Sequence, residues 1–171
     1  MDGCSKMPTL RGTDGPPPPC APALTGDKQD LRLSDDPDLH LCVDGRRIDP
    51  ERRVGDVYVF QVPASRRDVR INSRATAPAE IGLARDPRML GVPLWRVIIR
   101  AGTRFRTMGA SDKQLVDGVH AYEPETGVRW TNGDAPIPAV WLEGWAGPIE
   151  LVLHLRGATT YIVDADRRSA A

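Results

Sequence analysis

The sequence predicts an all-β protein, a mostly antiparallel β-sandwich of jelly-roll-like character. Three observations carry that prediction. Apolar and polar residues alternate in short runs from Asp38 to Ala165, the period-two mark of strands with one buried face. These runs recur at intervals of ~8–12 residues, with Gly, Pro and Asp between them, as in sandwiches and barrels. No parallel βαβ rhythm and no internal repeat is visible.

Residues 1–36 read as a disordered, proline-rich tail. Gly, Pro, Asp, Ser and Thr dominate it, and Pro16 to Pro19 form a stiff polyproline stretch with no core to join. The folded domain spans 37–165, and 166–171 form a C-terminal tail. Leu39, Leu41 and Val43 alternate with His40, Cys42 and Asp44, and Asp44-Gly45 then signals a tight hairpin turn. Val57 to Val62 is apolar on both faces except at Gln61, which predicts a central, covered strand. Val57 and Val59 are assigned to its inward side. Val69, Ile71 and Ser73 alternate with Arg70, Asn72 and Arg74.

Leu94 to Ala101 is the next strand. Alternation puts Trp95, Val97 and Ile99 on its core face, with Arg96, Ile98 and Arg100 opposite. Ser111–Asp117 and Pro138–Gly144 are short candidate helical turns. Ile149, Leu151, Leu153 and Leu155 form one clean apolar face. Arg156-Gly157-Ala158 then turns the chain, and Thr159 to Val163 is expected to return beside it as a hairpin.

Composition excludes several functions. The 171 residues carry 23 basic and 23 acidic side chains, so no overall field draws the chain to nucleic acid or an anionic membrane. No run approaches the ~18 apolar residues of a membrane span. The N-terminus lacks the apolar stretch of a signal peptide, which makes the cytoplasm the default location, with non-classical export the alternative. Cys4, Cys20 and Cys42 form no CxxC pair, and no His spacing completes a zinc site. The reading therefore calls for no metal and no cofactor.

No catalytic centre is recognisable. There is no Gly-x-Ser-x-Gly elbow and no Gly-rich phosphate loop. His40 and His154 sit on polar strand faces without partners. His120 precedes Glu123 by three residues, a spacing that brings two side chains together only in a turn. Within that loop Glu123 is expected to pair with Arg129 as a charge-assisted fork, with Trp130 packed beneath. Asp35, Asp36, Asp38 and Asp44 lack the spacing of a calcium loop. The arginine doublets 46/47, 52/53 and 66/67 could bind phosphate or acidic sugars, and the zero net charge favours reading them as charged hairpin edges instead. Four tryptophans are the strongest binding signal, because exposed Trp stacks on sugars and peptides. Trp95 and Trp130 are assigned to the core. Trp141 and Trp145 flank Gly144 and are assigned to the surface, so the candidate binding residues are Trp141, Trp145, His120, Glu123 and Arg129.

A set of motifs runs through the folded part. They are Val43-Asp44-Gly45-Arg46, Val69-Arg70-Ile71, Ser73-Arg74-Ala75, Asp86-Pro87-Arg88 and Leu90-Gly91-Val92. Further along come Gly118, His120, Glu123, Arg129-Trp130-Thr131, Gly133-Asp134-Ala135 and Gly147-Pro148-Ile149-Glu150-Leu151. With them, the block from about Asp38 to Val163 resembles a β-rich accessory domain of bacterial hedgehog/intein (Hint) proteins. Similar segments accompany glycosyltransferases and other carbohydrate-related proteins. The resemblance implies a companion module. A Hint domain works through a nucleophile at its first residue and a downstream His, and neither is recognisable here, so autoprocessing is not implied. The expected function is a non-catalytic accessory module that binds a glycan or another protein domain. The alternatives are a structural or assembly module of a larger Hint-type or glycosyltransferase-associated protein, and an enzyme using His120 and Glu123.

Overall fold

The computed structural model describes residues 32–157 and 159–163. The proline run, Cys4, Cys20, Ala158 and the C-terminal tail over 166–171 lie outside the described residues. Two antiparallel sheets enclose one core, and the only helix among the described residues is a single turn, α1 (Ala139–Leu142). None of these residues forms a helix long and apolar enough to cross a membrane.

The smaller sheet is built from β2 (His40–Val43), β3 (Arg46–Ile48), β6 (Val69–Asn72) and β10 (Asp134–Pro136), in the order β10-β6-β2-β3. Strands β2 and β3 form the hairpin that Asp44-Gly45 announces, with Val43 opposite Arg46. Asp44 and Gly45 both take positive φ, 48° and 78°, as a two-residue turn matched to strand twist requires. The Asp44 carboxylate accepts the backbone N–H groups of Arg67 and Asp68, which ties the turn to the start of β6.

The larger sheet contains β4 (Arg52–Val54), β5 (Val57–Val62), β7 (Pro93–Ala101), β8 (Arg104–Gly109) and β11 (Ile149–Leu155), ordered β4-β5-β11-β7-β8. A two-residue strand, β9 (Arg129–Trp130), pairs with the first residues of β7. Leu41, Val43, Val69 and Ile71 from the small sheet meet Phe60, Val62, Val97, Ile99, Leu151 and Leu153 from the large one in a single buried cluster. Burying each such side chain contributes ~1.5–3 kcal/mol, which is why alternation dictates register here.

Several expectations are corrected. The inward face of β5 is Tyr58, Phe60 and Val62, whereas Val57 and Val59 pair with His154 and Val152 on the outer face. A strand that is apolar on both sides gives no parity signal, and the pairing partner decides. The hairpin between Ile149–Leu155 and Thr159–Val163 does not form. Strand β11 already bonds β5 on one side and β7 on the other, so Tyr161–Ile162 (β12) pairs instead with Leu33–Ser34 (β1). That pairing also brings Leu33 and Ser34, assigned by composition to the tail, into the fold. Ser111–Asp117 is a turn segment without helix, while Pro138–Gly144 contains α1.

Candidate functional site

The motif residues spread along the chain converge on one backbone knot. The Thr131 hydroxyl, fully buried, accepts the Val92 N–H at 3.0 Å. The Gly91 N–H donates to the Thr131 carbonyl, and the Thr131 N–H returns a bond to Val92. Asn132 donates to Gly118, and Ser73 donates to Gly133. Tyr161, from the far end of the chain, caps the Gly91 carbonyl with its hydroxyl at 2.9 Å. A side chain at Gly91 would strike the Thr131 hydroxyl, and one at Gly118 would strike the Asp134 carbonyl and lie 2.5 Å from Ala135 Cα. These residues hold loops against each other, which is a structural task.

The loop residues singled out for binding are not assembled as expected. Glu123 pairs with Arg88 at 3.1 Å, and Arg88 also forks onto Asp86 at 2.7 Å. Arg129 turns the other way and donates to the carbonyls of Leu115 and Asp112, which tethers the 111–117 loop. The expected Glu123–Arg129 fork is therefore replaced by Glu123–Arg88. The Arg88 partner lies 35 residues away, beyond any local pattern. Trp130 is half-buried and stands outside the core cluster. The His120 ring bonds the Met89 carbonyl at 2.7 Å rather than facing Glu123. No three His, Cys, Asp or Glu side chains among the described residues come together as metal ligands.

Trp141 and Trp145 are also relocated. Both are core residues, 2% and 8% exposed. The Trp141 indole N–H bonds Gln114, and the Trp145 indole N–H bonds the Trp141 carbonyl. Arg104 lies over the Trp145 ring and Arg106 reaches the carbonyls of α1. A glycine between two tryptophans reads locally as an exposed loop. In the fold, both indoles turn into the core cluster.

Trp95, half-buried like Trp130, also stands outside the core cluster. Arg96 faces His154, yet the next pair along is Leu94 with Leu155, so Trp95 is an unpaired extra residue in β7. This β-bulge sends both Leu94 and Leu155 into the core and turns Trp95 onto the outer face, against simple alternation. There the indole meets the Arg96 guanidinium at 4.4 Å, the Arg156 guanidinium at 4.6 Å, and the His154 ring edge-on at 6.0 Å. Arg156 in turn touches the Thr126 carbonyl at 3.4 Å, which links this corner to the loop that carries Glu123.

The register fixes what surrounds the cluster. Val57, His154, Arg96 and Gly109 form one outer row, and Val59, Val152, Ile98 and Thr107 the next. Gln61, Glu150, Arg100 and Phe105 form the third. An ion pair between Arg100 and Glu150 closes that third row, beside a shallow depression lined by Glu51, Arg52 and Gln61. At the Trp95 corner, by contrast, no carboxylate among the described residues comes within ion-pair distance of Arg96 or Arg156. Burial, and after it the charge of Arg96, holds the His154 imidazole below its ordinary value of 6.5. Nothing matches the chain in comparisons with protein-family models, curated proteins and solved structures.

Proposed function

We propose that the chain is a non-catalytic accessory module that binds a glycan on the outer face of its large sheet, around Trp95. The observation that supports this most is the bulge that puts an indole, two guanidinium planes and an imidazole edge together on a strand pair. Aromatic surfaces take the C–H faces of sugar rings, and fixed N–H donors orient the hydroxyls. Strands β7 and β11 are both interior, so the platform is rigid and changes little on binding. The resemblance to Hint-associated accessory domains supplies the setting, a companion to a larger polypeptide with its chemistry elsewhere.

The test is a glycan array probed with the monomeric chain and with its Trp95→Ala variant. Binding by the wild type, lost in the variant at an unchanged melting temperature, supports the proposal. Absence of binding to every glycan overturns it. A second reading, assembly through sheet edges, rests on Phe105 at 70% exposure in the edge strand β8 and Val54 at 66% in the opposite edge strand β4. Concentration-dependent dimerisation without ligand, abolished by Phe105→Ser, would favour that reading.

A further inference from the structure

We infer that the ligand held at Trp95 is anionic, an acidic sugar whose carboxylate docks on Arg96 and Arg156. This inference rests on the glycan reading and adds the charge of the ligand. Many arginines elsewhere are committed, and Arg46, Arg52, Arg67 and Arg85 stand exposed to solvent. Arg47, Arg70, Arg74, Arg88 and Arg100 each meet a carboxylate. Arg66, Arg104, Arg106 and Arg129 are spent on backbone carbonyls. Arg96 and Arg156 differ, because two guanidiniums gather on one indole and are left without a counter-charge among the described residues. The Arg156 guanidinium makes a single long hydrogen bond, to the Thr126 carbonyl, and the buried Arg96 Nε has no acceptor among the described residues. Each guanidinium is held beside the indole with N–H donors that meet no carboxylate, and a bound carboxylate takes a charge-assisted fork there.

The outer face of the small sheet is a useful contrast. There Arg70 forks onto Asp134 at 2.7 and 2.8 Å, and Asn72 adds a third donor, so the charge is already neutralised within the chain. At the Trp95 corner no described residue supplies such a carboxylate. A peptide is disfavoured as its carrier, since β7 and β11 have no free backbone edge for an added strand. A nucleic acid is disfavoured as well. The neighbouring Arg100 is paired with Glu150, and the net charge is zero, so the described residues around Trp95 offer no basic track for a phosphate backbone. A local anion site of two guanidiniums around one indole fits the single carboxylate of an acidic sugar.

The experiment follows the Trp95 indole N–H signal by NMR while the full chain is titrated with D-glucuronate and, separately, with D-glucose. Glucuronate is expected to shift the signal and bind at least about tenfold tighter than glucose, a preference lost in Arg96→Gln/Arg156→Gln. Added salt should weaken glucuronate and leave glucose unchanged, a readout that needs no variant. Four outcomes overturn the inference: no glucuronate response at tens of millimolar, an equal response to glucose, an equal response to sodium acetate, or tighter binding of an acidic peptide or single-stranded oligonucleotide. An equal response to glucose leaves the glycan reading standing and removes only the charge. Silence to both sugars, together with an empty glycan array, removes both.

Discussion

Three glycines separate backbone strain from steric exclusion, and their comparison tests whether the motif residues act as a structural knot. Gly45 sits at φ 78° with nothing within 4 Å of a would-be Cβ. Gly91 has no positive φ, yet its Cβ would strike the Thr131 hydroxyl and lie 2.7 Å from the Gly133 nitrogen. Gly118 combines both conditions, at φ 68° and against the Asp134 carbonyl. For an alanine, left-handed backbone costs about 1–2 kcal/mol, and overpacking costs about 1–3 kcal/mol. Gly45→Ala should therefore lose about 1–2 kcal/mol from strain alone. Gly91→Ala should lose about 1–3 kcal/mol from exclusion alone. Gly118→Ala should lose their sum, about 2–5 kcal/mol, because β10 would have to move away from β6. In a chain of this length each kcal/mol lowers the melting temperature by about 2–4 °C. Urea and thermal melts of the three variants give the ordering. If Gly118→Ala falls no further than Gly45→Ala, the close approach of Gly118 to β10 is wrong and the knot does not hold these loops.

Trp141→Ala should cost about 3–5 kcal/mol in a urea melt, as truncating a buried aromatic does, and a wild-type midpoint would return Trp141 to the surface. Asp38, Asp86 and Asp134 are held below the ordinary 3.8 by side-chain hydrogen bonds from Arg47, Arg88 and Arg70. Their contribution to stability is full above 3.8 and is lost as the pH falls through the lower folded values, so melting temperature should drop in that range. Arg88→Gln should flatten the drop, and an unchanged profile would count against the Asp86–Arg88–Glu123 network. His154, held below 6.5, contributes stability fully above that pH and loses it as the pH falls toward the depressed value. His154→Gln should remove this slope, and a slope that persists in the variant would place its origin elsewhere.

Much of the fold was legible because alternation and burial coincide. The runs at His40–Val43, Val57–Val62, Val69–Ile71, Leu94–Ala101 and Ile149–Leu155 all lie in strands. What local pattern could not give was which strand pairs with which. Tyr161 looks like the return of a hairpin, and only the occupied edges of β11 redirect it to Leu33–Ser34. Short charged strands such as Arg46–Ile48 and Arg52–Val54 carry no apolar face to announce them.

The candidate site was less legible, because it depends on an irregularity. Period-two reasoning puts Trp95 inside with Val97 and Ile99, and a single bulge reverses it. A signal was present: Leu94 and Trp95 are adjacent large apolar residues followed by an arginine, one residue more than an alternating face can hold. For Trp141 and Trp145 the reverse applied. Their burial depends on α1 packing under Arg104 and Arg106, more than thirty residues away along the chain. Glu123 and Arg129 look like partners by proximity, but geometry in three dimensions gives each a different one.

Hydroxyl-radical footprinting of the full chain, with and without a glycan positive on the array, tests the Trp95 face most directly. Trp95 should be oxidised readily in the free chain and protected in the complex, while Trp141 and Trp145 stay slow to react in both. A Trp95 that resists oxidation when free, or that glycan leaves unprotected while another surface is covered, would contradict the account.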